Sequence, residues 1–107
     1  MYCLAIDDSL KNKIKELNYI PVGLGDNNFS EEWLRDNTGK NITQKNKHYG
    51  EYTFHYWLWK NHLDKIPENT WVGFCAYRRF WSKNIAKPNK ILELKNEIIE
   101  TVDEKWR

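Results

Sequence analysis

The sequence predicts an α/β domain, a mainly parallel sheet with helices on its faces, and three observations predict it. Short apolar runs recur at residues 1–6, 19–23 and 71–76. Between them lie stretches whose apolar residues repeat at helical spacing. The resulting order, β-α-β-loop-α-β-loop-α, favours parallel pairing because long crossovers separate the strands.

Met1 to Ile6 reads as a buried strand, and Asp7, Asp8 and Ser9 supply caps for the next element. Leu10, Ile14 and Leu17 lie at i, i+4 and i+7, one face of a helix ending near Asn18. Tyr19 to Gly23 is a second strand, with Pro21 pointing to an edge or a strand end. Gly23, Gly25, Asp26, Asn27 and Asn28 form a loop, and Ser30 to Leu34 reads as a short helical turn. Residues 35–44 are polar and rich in Asp, Asn and Gly, a turn-forming loop. The strongest helix runs from about Asn46 to Leu63, apolar almost all round and hence expected to be buried on more than one side. Pro67, Glu68 and Asn69 break the chain before Trp71 to Ala76, a central-strand candidate. Pro88 opens a final helix striped by Ile91, Leu94 and Ile98.

The chain of 107 residues holds one domain at most. Its 17 basic and 15 acidic residues nearly balance, which removes any global attraction to nucleic acid, so an anion site must be local. The lysines are scattered and make no basic stripe interleaved with aromatics. No apolar run approaches membrane-spanning length. Cys3 and Cys75 each sit inside an apolar run without paired spacing, so they read as buried free thiols in a reducing compartment, the cytoplasm. No basic segment leads into a longer apolar one at the N-terminus, so no signal peptide is expected. Aromatic residues make up 15% of the chain, six of them Trp, enough for a core with some left to face a partner or a ring-shaped ligand.

Arg78 and Arg79 come directly after a predicted strand, and open α/β sheets bind ligands beyond the carboxyl ends of their strands. Two guanidinium groups there can grip phosphate oxygens, with Tyr77, Phe80 and Trp81 as walls; position favours this role over a solvated surface pair. The loop from Asp36 to Asn41 is dense in donors and acceptors, although its composition alone favours turning the chain. His48, His55 and His62 share one helix face with Glu51 four residues before His55, but H-E-x-x-H is absent and metal is not expected; Glu51 paired with His55 or an arginine is the more ordinary arrangement. Asp7 and Asp8 read as helix caps rather than cation ligands.

Two ordered segments, Asp36-Asn37-Thr38-Gly39-Lys40-Asn41-Ile42 leading into Tyr49 to Asn61, and Val72 to Trp81 with its Tyr77-Arg78-Arg79 core, resemble the domain-of-unknown-function 4422 family. The family pattern runs D-N-T-G-x-N-I-S, then E-L-T-x-x-Y-W-x-W-K-N, then G-x-x-H-Y-R-R-Y-F. Its members are regarded as glycosyltransferases of capsular and exopolysaccharide synthesis, related to the GT-A nucleotide-sugar fold. The resemblance implies a partial GT-A-like, Rossmann-like domain, the N-terminal donor-side portion of a longer one. It implies transfer of a sugar from a nucleotide-sugar donor to a glycan, in the cytoplasm at the inner face of the membrane, with peripheral association through the acceptor. Arg78, Arg79, Tyr77, Asp36, Asn37 and Asn41 would bind substrate, while Glu51, Trp57, Trp59 and Lys60 would lock helix and loop in place. No D-x-D occurs, so guanidinium charge would stand where GT-A enzymes hold a divalent metal on the donor. Three positions depart from the pattern: Ala76 replaces the His, Tyr52 the Leu and Thr43 the Ser. Any acid–base work done by that His is therefore lost here, and the 107 residues alone are expected to be inactive. The alternative expectation is a truncated, non-catalytic remnant or an interaction module that uses exposed aromatics.

Overall fold

The computed structural model describes residues 1–83 together with Ile99. Four strands, β1 (Tyr2–Ala5), β2 (Ile20–Gly23), β3 (Leu34–Arg35) and β4 (Phe74–Ala76), form one sheet in the order β3-β2-β1-β4. Every pairing is parallel, with Tyr2 opposite both Ile20 and Phe74. The helices are α1 (Lys11–Glu16), α2 (Asn46–Tyr49) and α3 (Tyr52–Asn61), with single 3-10 turns at Asp8–Leu10, Thr43–Lys45 and Leu63–Lys65. The expected α/β class with a parallel sheet is what the chain forms.

Side-chain alternation along the strands sorts the core into two layers. Cys3 and Ala5 of β1 and Cys75 of β4 face Ile14 and Leu17 of α1, with Tyr19 and Trp33 completing that layer. Tyr2 and Leu4 face the other way, onto Phe54, Trp57 and Leu58 of α3. Burial of a residue such as Phe54, which is fully enclosed, contributes about 1.5–3 kcal/mol.

Several elements differ from expectation for identifiable reasons. Pro21 lies in an interior strand. The N–H groups of Ile20 and Leu24 donate to β1 carbonyls, so by alternation position 21 turns its nitrogen towards β3. There β3 pairs only with Val22 and Gly23, and no ladder bond is lost. Ser30 to Leu34 is not helical. Trp33 closes a turn onto Ser30, and Leu34–Arg35 becomes β3 because the Arg35 side chain donates to the carbonyls of Gly23 and Gly25. The long helix is broken at Gly50, whose φ of 53° ends α2. Only one face of α3 is buried; Tyr52 and Trp59 are more than half exposed. β4 is shorter than expected and stands at the edge of the described sheet, with Trp71 outside it and exposed. The final helix expected from Pro88 falls outside the described residues, but Ile99 is buried, donating from its N–H to the Trp81 carbonyl and accepting from the Tyr19 hydroxyl.

Cys3 and Cys75 are free, buried and directly opposite each other across β1 and β4. The Cys75 partner and burial both push the Cys3 thiol well above its ordinary range. Both thiols should therefore resist a thiol-specific reagent in the folded protein and become reactive together on global unfolding. Fast labelling of either one under native conditions would contradict this packing.

Candidate functional site

Because all strands run parallel, the turns after Ala5, Gly23, Arg35 and Ala76 meet at one edge of the sheet. The chain order reverses between β1 and β4: from β1 the chain moves outward through β2 and β3, and β4 returns on the other flank. A crevice outside the strand ends at such a switch point is where open α/β sheets bind ligands.

At that point β4 ends in a tight turn. The Arg79 N–H donates to the Ala76 carbonyl at 2.9 Å, and the same two residues form an antiparallel bridge, so the chain doubles back on its strand. The return is pinned by the Trp81 indole, which donates to the Phe74 carbonyl at 2.8 Å, and by Phe80, whose ring lies 5.9 Å from that of Tyr19. The turn exposes Arg78 and Arg79. The Arg78 guanidinium lies 4.9 Å from the Tyr77 ring centroid, a stacking that orders the cation and leaves its N–H edge open. Among the described residues neither arginine has a carboxylate partner. A cleft of about 530 Å³ opens here, lined by residues 74–81 and Glu51.

The expected substrate-binding residues separate into two groups. Tyr77, Arg78 and Arg79 line the cleft together. Asp36, Asn37 and Asn41 belong to the loop after β3, at the far end of the strand order and outside the cleft lining. Three strand spacings amount to roughly 14 Å. Asp36 is fully buried, its oxygens accepting from the Gly25 N–H at 3.2 Å, Thr43 Oγ1 at 3.0 Å and Thr53 Oγ1 at 2.5 Å. Asn41 braces its own loop, donating to the Gly39 carbonyl and accepting from the Thr43 N–H. Only Asn37 of this group presents an exposed side chain without an internal bond.

The residues expected to lock helix and loop also divide. The Trp57 indole donates to the Thr38 carbonyl at 2.9 Å and lies near its hydroxyl at 3.0 Å, so it ties α3 to the loop. Trp59 and Lys60 are both exposed and pair with each other, with Nζ 3.4 Å from the ring centroid, making no link to the loop. Glu51 forms no ion pair with His55 or with any described arginine, and its side chain does not cap α3. His55 instead packs its ring against Phe74 at 4.3 Å, its Nε2 buried without a partner, and His62 stacks on Trp57. Among the described residues no three His, Cys, Asp or Glu side chains gather closely enough to hold a metal.

Asn61 is a lock that the sequence reading missed. Its amide accepts from the Lys40 N–H and donates to the Lys40 and Trp57 carbonyls. Gly39 permits this contact: at φ 55°, a Cβ there would stand 2.3 Å from Asn61 Oδ1. The signal was the Gly three residues after Asp36 and the Asn four after Trp57. On the other flank Asp7 caps the first turn through Ser9, as expected. Asp8 accepts from the Ser30 N–H and hydroxyl and from the Trp33 indole, while Lys11 and Lys15 pair with Glu32, fastening the loop before β3 to α1.

This framework can be tested at both carboxylates. Asp36→Ala leaves the Gly25 N–H and the Thr43 hydroxyl without their acceptor, while the Thr53 hydroxyl keeps the Gly50 carbonyl, and should cost about 3 kcal/mol in urea unfolding, with Asp36→Asn milder. Asp8 is held below its ordinary 3.8, first by the Ser30 N–H, then by the Ser30 hydroxyl. Its stabilising bonds are therefore complete above that value and lost as pH falls through the lower folded-state value. The Trp33 indole proton resonance should shift with a midpoint below 3.8, and Asp8→Asn should remove the transition.

The family described as "Domain of unknown function (DUF4422)" matches residues 7–105. No curated protein and no solved structure matches the chain significantly.

Proposed function

The chain belongs to the DUF4422 family, and from that premise we propose that its cleft is the donor-phosphate site of a glycosyltransferase-like domain, which transfers a sugar from a nucleotide-sugar to a glycan of a bacterial surface polysaccharide. The observation that carries this reading is the pair of exposed, unpaired guanidiniums, Arg78 and Arg79, on a pinned turn at the carboxyl end of β4, beside the reversal of strand order. Two neighbouring cations with no carboxylate partner among the described residues suit a ligand that brings two or more negative charges. A diphosphate bridging a nucleoside and a sugar meets that need, and Tyr77, Phe80 and Trp81 offer flat surfaces to either end.

In such a transfer the bond between the anomeric carbon and the diphosphate oxygen breaks, and negative charge grows on the leaving phosphate. Arg78 and Arg79 would stabilise that charge with donors already in place, the part a divalent cation plays at a D-x-D site. The nucleoside diphosphate then leaves, and the acceptor hydroxyl supplies the new glycosidic oxygen. This role covers the donor side alone, and no described residue is given the acceptor side or the catalytic base. Glycan acceptors carried on lipid would bring the domain to the inner face of the membrane; no described helix is long and apolar enough to cross one.

A second reading rests on the outer face of α3, where Tyr52 is 64% and Trp59 59% exposed. A partner docking on these aromatics would make the chain an interaction module.

Titration of residues 1–107 with UDP and GDP, with and without Mn²⁺, followed by Trp fluorescence, tests the first reading. One nucleotide should bind saturably without metal, and Arg78→Ala and Arg79→Ala should each weaken it by about tenfold or more, the scale of a lost charge-assisted bond. A folded chain that binds neither nucleotide would leave the interaction module as the better account.

A further inference from the structure

Among the described residues Glu51, which directly precedes α3, is the one acidic residue lining the cleft, while the β4 turn carries the guanidiniums. A carboxylate at an anion site needs a reason, because it repels the ligand that the arginines attract. The usual reasons fail here. Glu51 precedes α3 directly but its side chain makes no capping bond. It lies within ion-pair distance of no described Arg, Lys or His. It is exposed, so burial does not hold it. Its backbone is fixed nonetheless, since its carbonyl accepts from the N–H groups of Phe54 and His55 in the first turn of α3.

We infer that Glu51 reads the sugar of the nucleotide-sugar, accepting hydrogen bonds from hydroxyls of the transferred ring while Arg78 and Arg79 hold the diphosphate. This rests on the donor-site reading above and deepens it. An ionised carboxylate is acceptor-only, with two oxygens. That matches neighbouring ring hydroxyls, the part of the donor that is rich in donors and bears no charge. The phosphate end meets the opposite arrangement, donors only. The described lining thus joins one acid from the segment before α3 to two bases from the β4 turn, the mixture that suits a ligand with hydroxyls at one end and phosphates at the other. A site built to accept from a hydroxyl discriminates against ligands that lack it, because its polar group is then left unpaired.

The test compares affinities of the folded chain for UDP against UDP-glucose and for GDP against GDP-mannose, in the native protein and in Glu51→Ala and Glu51→Gln. In the native protein the nucleotide-sugar of the preferred pair should bind about tenfold or more tightly than its diphosphate, on the scale of a charged hydrogen bond. Glu51→Ala should erase that difference while diphosphate affinity holds or rises, since a like charge is removed. Glu51→Gln, which keeps one acceptor, should fall between. A purely structural role would instead weaken both ligands together and lower the thermal midpoint, and would overturn the inference. An unchanged difference in Glu51→Ala, or a native protein that binds diphosphate and nucleotide-sugar equally, overturns it while leaving the arginine site standing. Absence of any nucleotide binding overturns both.

Discussion

The Asp36 carboxylate is the contact on which the arrangement of the ligand edge depends. It lies just beyond β3 and accepts bonds from the turn after β2, from the 3-10 turn at Thr43 and from Thr53 in the first turn of α3. Asn46 adds to the network by donating to Thr53 Oγ1 at 3.0 Å. One buried group thus sets the start of α3 against the ends of two strands. Desolvating a carboxylate is costly, and here the cost is offset by donors that would themselves be stranded without it. The position of Glu51, two residues before Thr53, is set by this network rather than by any bond of its own side chain.

The polar loop of residues 36–42 is consequently a framework before it is a binding surface. Trp57 and Asn61 hold its backbone from α3, and Asn41 holds it from within. Its motif carries an acceptor at the buried end, a glycine where Asn61 approaches and an amide where the chain turns. Each of these residue types is explained by an internal contact. The cleft is different in kind: among the described residues Arg78, Arg79 and Glu51 have no ion-pair partner. Residues whose chemistry the fold does not use are the first candidates for meeting a ligand.

The strand positions, the β-α-β opening and the parallel class were legible because their signals are strong and local. Apolar runs at Tyr2–Ala5 and Phe74–Ala76 can be satisfied only by burial on two faces, and the α1 spacing has one solution. What escaped was set by tertiary contacts. Leu34–Arg35 is a strand because an arginine side chain reaches two carbonyls on its neighbour, and no periodicity encodes that. Pro21 misled because an interior position normally costs a ladder bond, and here the adjacent strand is too short to ask for it. The place of Arg78 and Arg79 just beyond a strand end was legible in the sequence. Asp36 was visible as a residue that matters, but a buried acceptor and an exposed ligand contact have the same sequence signature. Trp59 and Lys60 share a motif with Trp57 and Asn61, yet a helix turns adjacent residues to different faces, so only two of the four reach the loop.

The sheet also imposes an order on the birth of the protein. Of the four described strands β1 is made first, and it ends in the interior of the sheet, with β2 on one side and β4 on the other. Its β2 neighbour is made after one short helix, but its β4 partner arrives only after the loop and α3 have been synthesised. During that interval one flank of β1, with its row of unpaired backbone groups, is open to whatever strand is near. The nascent chain therefore passes through a stage with a sticky edge, and the speed with which β4 closes it bears on how much protein matures rather than aggregates.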